Sequence, residues 1–395
     1  MNERLRAWIE VDLGALVRNG AAMAARAGVP ILPMVKADGY GLGAVAVARA
    51  LERLSPWGYG VATVDEGAEI RAAGVERPVL VFTPILEADI AGARDARLTP
   101  LLGSGAMIAA WAAATGNADW HLAIDTGMGR SGVQWNEVAS LGEVLRTAPP
   151  AGASTHFHSA DRDDQAVVQQ LRRFASALDA MPARPAILHA ENSAAIERLE
   201  RPSAWTFVRP GVFLYGVASQ VAPAGGGPSR RPVLVSEPVA SLHARIAELR
   251  TIGAGETVSY GGTYTARARA RIATVPVGYG DGYRRAFGNA GAALVRGHRV
   301  PVVGMVTMDM TLLDVTGIAC ETGDIATLLG RAPATVPAPL LAKRPPAVPL
   351  APRPVVDLVG AAHDAGLSPY ELLTGLRLRL RRVYVDDAHW VDSRP

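Results

Sequence analysis

Lysine is almost absent from this sequence of 395 residues: of its 40 basic residues, only Lys36 and Lys343 are lysines. Arginine cannot replace lysine in carbonyl chemistry, because only lysine can lose its proton, attack a carbonyl carbon and form an imine. Lys36 lies in the segment PMVKADGYG, residues 33–41, and we predict that it is a Schiff-base residue. Lys343 stands in an Ala- and Pro-rich stretch and is expected to be an ordinary solvated lysine.

Cysteine and long apolar runs are equally scarce. The single cysteine, Cys320, excludes an intrachain disulfide and a cysteine-based zinc site, which agrees with a reducing compartment. The longest uncharged run, residues 98–118, is interrupted by Pro, Gly, Ser, Thr and Asn, so it does not resemble a membrane span. The first 12 residues are rich in charge and lack the apolar core of a signal peptide. We therefore expect a cytoplasmic protein without a membrane or disulfide-bonded part.

The net charge is only +3, although arginines alternate in two places. The alternating arginines are Arg267, Arg269 and Arg271, and further along Arg377, Arg379 and Arg381. This spacing would place each trio on one face of a strand, where it could bind nucleic acid or another anion. Neither interleaved aromatic residues nor a known binding motif accompanies them, so we favour the solvent-facing side of an antiparallel sheet.

Up to about residue 217, short apolar runs alternate with Ala-rich helical segments. The predicted strands are Trp8–Val11, Ile31–Val35, Gly58–Val64, Pro78–Phe82, Thr99–Leu102, His121–Ile124, Ala153–Phe157, Ala186–His189 and Phe207–Val212. The predicted helices include Ala44–Arg53, Asp65–Ala73 and Gln165–Ala180. Repeated strand–helix units imply a parallel sheet, and this number of units fits a closed (β/α)8 TIM-like barrel, with an open doubly wound sheet as the alternative. The barrel is favoured because Lys36, Arg130, His156 and Arg209 fall at or just after the C-terminal ends of predicted strands.

The pattern changes after the glycine-rich segment at residues 225–228. We predict an α/β chain of two domains, a barrel over residues 1–235 and a mainly β domain over residues 236–395. The predicted strands of the β domain are Val235–Leu249, Thr257–Tyr260, Arg271–Val277, Ala292–Val303 and Met310–Val315. A Pro- and Ala-rich insertion near residues 331–354 is expected to carry no chemistry, and a helix at Val355–Ala365 precedes a closing strand.

Two other kinds of site can be considered from local motifs. Gly39, Gly41 and Gly43 allow a ligand to approach the backbone, but without the full dinucleotide spacing or a following acidic residue a nucleotide site is not indicated. His156 and His158, at positions i and i+2, form with Asp161, His189 and Glu191 a second candidate, a metal site. The two histidines lack a third ligand at a recognised spacing, so we expect no metal.

Nine short motifs occur in order along the chain. They are Trp8–Leu13 with Asn19, Val35–Gly41, Asp125–Gly132, Thr155–Phe157, Asn192–Ala194, Arg209–Gly211, Val258–Gly261, Val277–Tyr283, and Met308 with Asp309. In order and approximate spacing these motifs resemble those of the alanine racemases, over nearly the whole chain apart from the insertion. The resemblance implies a fold-type III enzyme dependent on pyridoxal 5'-phosphate: a barrel that holds the cofactor, a β domain, and a head-to-tail homodimer whose sites are each completed by the partner's β domain.

By this resemblance, the cofactor is bound at the end of the barrel. Lys36 carries it as a Schiff base, while Tyr40, Ser193 and the backbone of Gly211 and Val212 hold its phosphate. Hydroxyls and amides neutralise a dianion without adding a second amine. Two further positions follow from the motifs: Asn192 lies beside the phosphate pocket, and Arg209 faces the pyridine nitrogen. A permanent donor such as Arg209 keeps that nitrogen unprotonated and makes the ring a weaker electron sink.

Racemisation requires a base on each face of the substrate. The resemblance assigns one face to Lys36 and the other to Tyr260 of the partner subunit, with His156 and Arg209 next to that tyrosine. Ionising a tyrosine near pH 8 costs roughly 3 kcal/mol, which nearby cations must offset. Arg130 is expected to contact the cofactor's phenolic oxygen and the substrate carboxylate.

Three further residues and two departures complete the comparison. Met308 would offer its backbone amide to the substrate carboxylate, and Tyr279 and Asp309 would line the access path. Many relatives carry a carbamylated lysine where this chain has Ala123, so another anion, such as chloride, replaces it or Arg130 is held differently. Some relatives have a gating tyrosine where this chain has Leu378, which predicts a wider or less polar entrance and weaker cofactor retention.

The expected function is the interconversion of L- and D-alanine by a two-base mechanism, supplying D-alanine for peptidoglycan. A racemase of serine or of broader range is the nearest variant. A fold-type III decarboxylase would need an acidic partner at the ring nitrogen, which Arg209 replaces. A non-catalytic pyridoxal-phosphate-binding protein would be a single barrel, without the β domain that carries Tyr260. We expect no membrane or nucleic-acid partner.

Overall fold

The computed structural model describes residues 5–116, 118–162, 164–219, 234–333, 355–386 and 389–390. The chain forms two compact units: one is Leu16–Glu237, and the other combines Met1–Ala15 with Pro238–Pro395. The boundary at Glu237 is close to the one expected near residue 235. The N-terminal segment, however, is grouped with the second unit and not with the barrel unit. Among the described residues, none of the helices has the length and apolarity needed to span a bilayer.

The first unit is a closed parallel barrel. Its regular strands follow one another in the order Tyr59–Val61, Val79–Val81, Thr99–Leu102, His121–Asp125, Gly152–Ser154 and Ile187–His189. A short strand, Val133–Gln134, also pairs with His121–Asp125. Parallel bridges join Met34 to Gly60, Ile31 to Val208 and Asn192 to Arg209, so two extended segments close the gap between the first and last regular strands.

Hydrogen bonds confirm the closure. The Leu32 amide donates to the Val208 carbonyl at 2.7 Å, and the Val35 amide donates to the Gly60 carbonyl at 2.8 Å. The predicted (β/α)8 barrel is therefore confirmed, and the open sheet is excluded. Part of its interior is an apolar cluster that includes Leu32, Leu80 and Phe207, and each such side chain contributes about 1.5–3 kcal/mol through burial.

Helices cover the outside of the barrel. The α-helices of this part of the chain are Leu13–Ala27, Lys36–Gly41, Ala44–Leu51, Val64–Ala72, Ile90–Asp95, Gly105–Thr115, Gly142–Thr147, Asp164–Asp179 and Ser193–Glu197. Short 3-10 helices span Glu52–Leu54, Glu87–Asp89, Val138–Leu141 and Val212–Tyr215. Helix Val64–Ala72 begins with a capping box, in which the Thr63 side chain accepts from the Glu66 amide and the Glu66 side chain accepts from the Thr63 amide.

The second unit is built mainly of antiparallel strands. In its large sheet the order is His298–Pro301, Ala292–Val295, Ile325–Arg331, Ala240–Arg245, Ala7–Asp12, Arg381–Asp386 and His389–Trp390, and Val355–Val356 also pairs with Ile325–Arg331. A second sheet contains Glu248–Ile252, Ala270–Val275 and Thr311–Asp314, and a small hairpin pairs Thr257–Val258 with Tyr264–Thr265. Its helices are Leu358–Asp364 and Pro369–Thr374, with 3-10 turns at Tyr260–Gly262, Tyr279–Asp281 and Arg285–Phe287.

The prediction that Trp8–Val11 is a barrel strand is wrong. Strand Ala7–Asp12 lies in the middle of the large β sheet, antiparallel to Ala240–Arg245 and parallel to Arg381–Asp386. Trp8, Ile9 and Val11 are all buried. A strand buried on both faces looks the same in sequence whether it lies in a parallel barrel or at the centre of another sheet.

The arginine trios do not form strand faces. Strand Ala270–Val275 begins after Arg267 and Arg269, and strand Arg381–Asp386 begins after Arg377 and Arg379. The predicted last helix is also shorter, because Val355–Val356 forms a strand before helix Leu358–Asp364. Arg331 ends strand Ile325–Arg331, and residues 334–354 of the expected insertion lie outside the described residues.

Candidate active site

Lys36 follows directly on one of the extended segments that close the barrel. The next four residues form a left-handed turn, with φ of 53° at Ala37, 53° at Asp38, 60° at Gly39 and 55° at Tyr40. A left-handed conformation costs roughly 1–2 kcal/mol for each residue other than glycine. Such a turn persists only where its surroundings hold it in place.

Hydrogen bonds fix both ends of this turn. The Gly39 amide donates to the Val35 carbonyl at 2.8 Å, and the Asp38 carboxylate accepts from the amide of Ala44 at 2.8 Å, which starts the next helix. At the other end, the Ala37 amide donates to Glu66 Oε1 at 2.7 Å. Lys36 is thus mounted on a rigid backbone.

The electrostatic surroundings favour a neutral amine at Lys36. Burial lowers the pKa of Lys36, and the Arg130 guanidinium lowers it further, while the Glu66 carboxylate opposes both by raising it. A lysine with a lowered pKa has a larger neutral fraction near neutral pH, and only the neutral amine attacks a carbonyl or accepts a proton.

Tyr40, Ser193 and Gly211 come together beside this turn. The Tyr40 ring stacks on Tyr215, with ring centroids 4.4 Å apart, and Ser193 Oγ accepts from the Gly211 amide at 2.9 Å. A Cβ at Gly211 would lie 2.6 Å from the Tyr40 hydroxyl oxygen, so any other residue would force the Tyr40 side chain to shift. Val212 begins the 3-10 helix Val212–Tyr215. Tyr40, Ser193 and Gly211, referred to below as the cup, bring two hydroxyls to a backbone loop without a second lysine, and this chemistry fits a phosphate group.

The Asn192 side chain is engaged in the fold next to this cup. Its Oδ1 accepts from the Ala195 amide at 3.1 Å, which caps helix Ser193–Glu197, and its Nδ2 donates to the Phe157 carbonyl at 3.3 Å. Asn192 therefore fixes the position of Ser193 and does not project a free amide into the cup.

Arg209 is buried at the end of the last barrel segment. Its Nη2 donates to the Thr155 carbonyl at 2.8 Å and to the Ala190 carbonyl at 2.9 Å, and its Nη1 lies 2.6 Å from His189 Nδ1. Among the described residues, Arg209 Nε has no hydrogen-bond partner, so one donor stays available to a ring nitrogen. This arrangement fits the pyridine nitrogen expected at Arg209.

A chain of two histidines extends from Arg209 through the barrel. Because a guanidinium can only donate, His189 Nδ1 accepts and His189 carries its proton on Nε2. His189 Nε2 lies 2.9 Å from His121 Nδ1, so it donates, and the His121 proton is on Nε2. Burial and the Arg209 charge lower the pKa of His121 to about 4 and hold that of His189 well below its usual range. Both rings are therefore neutral at neutral pH.

His156 also faces Arg209, with Nδ1 3.4 Å from Nη2. Burial, together with the charges of Arg209, Arg130 and Lys36, lowers the pKa of His156 to about 3. The buried Gln170 holds this part of the chain: its Nε2 donates to the His156 carbonyl at 3.0 Å, and its Oε1 accepts from the His158 amide at 3.2 Å.

The histidines do not form a metal site. Both nitrogens of His189 are engaged with Arg209 and His121, and His158 Nδ1 lies 2.7 Å from Ser159 Oγ. Within the part of the chain that the structure describes, no group of three His, Cys, Asp or Glu residues could hold a metal ion.

Arg130 lies at the end of a loop shaped by Asp125. The Asp125 carboxylate accepts from the Gly127 amide at 2.8 Å and from the Gly129 amide at 2.9 Å. Arg130 itself is exposed and makes no ion pair with another described residue. Ala123, on the strand before the loop, packs in the apolar cluster of the barrel interior.

The other predicted site residues belong to the second unit. Tyr260 is 75% exposed and follows Ser259, whose φ of 66° is unusual for a residue other than glycine and whose Oγ donates to the Met305 carbonyl at 2.7 Å. The Tyr279 amide donates to the Thr307 carbonyl at 3.0 Å, which places Tyr279 close to Met308.

Met308 is 53% exposed, and its carbonyl accepts from the Gly280 amide at 2.8 Å. Asp309 forms a salt bridge of 2.6 Å with Arg379. Leu378 is 84% exposed. Tyr279, Met308 and Asp309 thus lie together on one edge of this unit, and Arg379 ties that edge to the loop that carries Leu378.

The sequence did not indicate the contribution of four side chains that support the site: Glu66, His121, Gln170 and Tyr215. The capping box Thr63-x-x-Glu66 was a readable signal for the first. Gln170 shares the buried face of its helix with Phe174, Ala177 and Leu178, so a polar residue in an apolar stripe was the signal there.

Sequence profiles of known families match both units. The profile described as "Alanine racemase, N-terminal domain" matches residues 11–219, and "Alanine racemase, C-terminal domain" matches residues 239–384. The chain belongs to the alanine racemase family. The family model for the first domain alone covers more than half of the chain, and the order of the two domains is that of the motifs.

Curated relatives and solved structures agree with this membership. An alanine racemase of Geobacter sp. (strain M21) is 36% identical, covering 95% of this chain and 98% of the relative. One from Deinococcus radiodurans is 34% identical, with coverage of 95% and 98%.

Among solved structures, an alanine racemase of Clostridium difficile 630 has a TM-score of 0.84 at 27% identity, covering 98% of both chains. One from Bartonella henselae, with covalently bound pyridoxal phosphate, has a TM-score of 0.81 at 25% identity, covering 96% of this chain and all of that one.

Proposed function

We propose that this protein is an alanine racemase that uses pyridoxal 5'-phosphate to interconvert L-alanine and D-alanine. Similarity over both domains and nearly full length supports the assignment. The observation that carries it is local: Lys36 is fixed on a left-handed turn, next to the cup of Tyr40, Ser193 and Gly211. An amine and a phosphate cup side by side are what the two ends of this cofactor require.

The residues of the barrel unit divide the work of binding. Lys36 Nζ would hold the aldehyde end, and Tyr40, Ser193 and the backbone at Gly211 and Val212 would hold the phosphate. Arg209 would donate through its free Nε–H to the ring nitrogen. When bound, the cofactor withdraws electrons from the substrate α-carbon and so acidifies its proton. Arg209 keeps that withdrawal moderate, because it donates a hydrogen bond without giving up a proton.

Two bases would move the proton from one face of the α-carbon to the other. Lys36 Nζ serves one face, since its lowered pKa provides a neutral amine near neutral pH. Tyr260 of the partner subunit serves the other face, and its exposure of 75% in a single chain suits a residue that acts on another subunit. Arg130, which has no ion-pair partner among the described residues, would bind the substrate carboxylate together with the backbone amide of Met308 of the partner subunit.

A homodimer with shared sites follows from this assignment, because Tyr260 would act only from the partner. Tyr279 and Asp309, on the edge that also carries Met308, would line the access path. We also infer that the protein acts in the cytoplasm and supplies D-alanine for peptidoglycan. The buried free thiol of Cys320 is consistent with a reducing compartment.

The test follows the α-hydrogen and the handedness of the product together. The purified protein, supplied with cofactor, is incubated with L-alanine in deuterated water; proton NMR reports exchange at the α-carbon and chiral chromatography reports D-alanine. Exchange accompanied by D-alanine is expected, and Lys36→Arg, which keeps the charge but cannot form an imine, is the matched control.

Other outcomes would contradict the proposal. Release of carbon dioxide would indicate a decarboxylase, and conversion of serine in preference to alanine would indicate a different substrate. Bound cofactor without any exchange would indicate a binding protein. Sedimentation of the same sample tests the dimer separately.

A further inference from the structure

The left-handed turn behind Lys36 depends on a residue from the neighbouring strand–helix unit. The Gly39 amide is bonded within the turn itself, to the Val35 carbonyl. The first amide of the turn, that of Ala37, has no such local partner and donates instead to Glu66 Oε1 at 2.7 Å. Ala37 directly follows Lys36, so this bond acts one peptide away from the amine-bearing residue.

Glu66 is itself held by other bonds. Its Oε2 accepts from the Ala62 amide at 2.7 Å and from the Thr63 amide at 3.4 Å, while the Glu66 amide donates to Thr63 Oγ1 at 3.2 Å. One carboxylate oxygen therefore serves the start of helix Val64–Ala72 and the other serves the turn. A helix cap requires only the contacts of Oε2 with the start of the helix. The contact of Oε1 with the Ala37 amide therefore has a different role.

The charge of Glu66 also acts on the amine. The charges that act on the Lys36 pKa are those of Arg130 and Glu66; the charge of Lys36 in turn lowers the pKa of His156, whose ring is neutral. Arg130 lowers the pKa of Lys36 and Glu66 raises it. Without Glu66, burial and the Arg130 guanidinium would both lower the pKa of Lys36, and the opposing effect of the carboxylate would be lost.

We propose that Glu66 is a positioning residue for Lys36, whose carboxylate clamps the left-handed turn and places a fixed negative charge beside the amine. The inference rests on the proposed role of Lys36 as the cofactor-bearing residue. It adds that the sequence motif around Lys36 is incomplete without the acidic residue of the next strand–helix unit.

Glutamine separates the clamp from the helix cap. A Glu66→Gln side chain has one oxygen, which can still accept from the Ala62 and Thr63 amides, as glutamine does in capping boxes. Its NH2 group would then face the Ala37 amide, and two donors cannot bond. Thr63→Ala is the matched control for the cap, and Glu69→Gln removes the same charge from an exposed position on the same helix.

The first readout measures the amine without the cofactor. The full-length chain is freed of cofactor with hydroxylamine and dialysis, and folding is checked by circular dichroism. Brief reductive methylation is carried out across a pH series, and mass spectrometry compares Lys36 with Lys343, the second lysine, which is the internal reference. Glu66→Gln should move the midpoint of Lys36 labelling to lower pH, while Thr63→Ala and Glu69→Gln should leave it in place.

The second readout is cofactor retention. Loss of a hydrogen bond to a charged acceptor should weaken the binding of pyridoxal phosphate about tenfold in Glu66→Gln. The two control variants should stay within about twofold of the wild type, because their contacts do not reach the turn.

Two results would overturn the inference: a Lys36 labelling profile in Glu66→Gln identical to that of the wild type, or an equal shift in Glu69→Gln. If Glu66→Gln does not fold, deuterium exchange in the wild-type chain decides instead. The Ala37 amide should then exchange far more slowly than an open loop amide, and free exchange would refute the clamp. Borohydride labelling at a residue other than Lys36 would refute the proposed function, and the labelling profiles would still test the clamp.

Discussion

Acid should destabilise the barrel through its buried histidines, and His121 allows the effect to be isolated. Its ordinary pKa of 6.5 falls to about 4 in the folded protein, because burial and Arg209 disfavour the charged ring. A depressed folded-state pKa means that the unfolded chain binds more protons below pH 6.5. The stabilisation is therefore complete above about pH 6.5, declines as the pH falls, and is lost near pH 4.

The size of the effect follows from these two values. At pH 5 the unfolded His121 is almost fully protonated and the folded one is almost neutral, which lowers the free energy of unfolding by about 2 kcal/mol relative to pH 7. His121→Asn removes the titrating ring. Its amide oxygen can still accept the proton that His189 Nε2 donates.

Urea unfolding at pH 7 and pH 5, followed by circular dichroism, measures the difference. Lost packing should reduce the stability of His121→Asn by a similar amount at both pH values, so the loss between pH 7 and 5 should be about 2 kcal/mol smaller than in the wild type. His156 is present in both proteins, so its contribution to the pH dependence of stability cancels in the comparison. His298→Asn, at an exposed position, is the control and should behave as the wild type. If His121→Asn and the wild type lose the same free energy of unfolding between pH 7 and pH 5, the assignment of a neutral His121 ring is refuted.

Three further predictions concern the glycines and the second base. Gly152→Ala should lower the free energy of unfolding by about 1–3 kcal/mol in urea titrations, because its Cβ would lie 2.7 Å from the His121 ring. Gly211→Ala should raise the dissociation constant for pyridoxal phosphate at least roughly tenfold, since the new Cβ displaces the Tyr40 hydroxyl; unchanged spectrophotometric titrations would contradict this. Tyr260→Phe should abolish racemisation in the alanine assay while leaving the cofactor absorbance unchanged, and an unaltered rate would remove Tyr260 from the mechanism.

The barrel was predictable because its strands leave a repeated signal. Buried apolar runs such as Thr99–Leu102 and His121–Asp125 alternate with helices, and the helix predicted at Gln165–Ala180 is observed at Asp164–Asp179. Trp8–Val11 gave the same signal in a different sheet. The pattern of apolar residues indicates how many faces of a strand are buried. It does not indicate the sheet to which the strand belongs.

The site was predictable in part. Motifs identified the barrel residues that the structure brings together around Lys36, and their catalytic roles stay predictions. The contributions of Glu66, Gln170 and His121 escaped because each acts through a residue distant in sequence: 29 positions separate Glu66 from Ala37, and 68 separate His121 from His189. Hydrogen bonds across neighbouring barrel loops follow from closure of the sheet, which no local pattern encodes.

Borohydride reduction of the cofactor-loaded protein determines whether Lys36 carries the cofactor, as the proposed function requires. Reduction fixes the cofactor to the amine that carries it, and peptide mapping then locates the added mass. The label is expected on the peptide that contains Lys36, with none on Lys343. Label on Lys343, or no label in a folded and cofactor-supplied sample, would contradict the proposed role of Lys36.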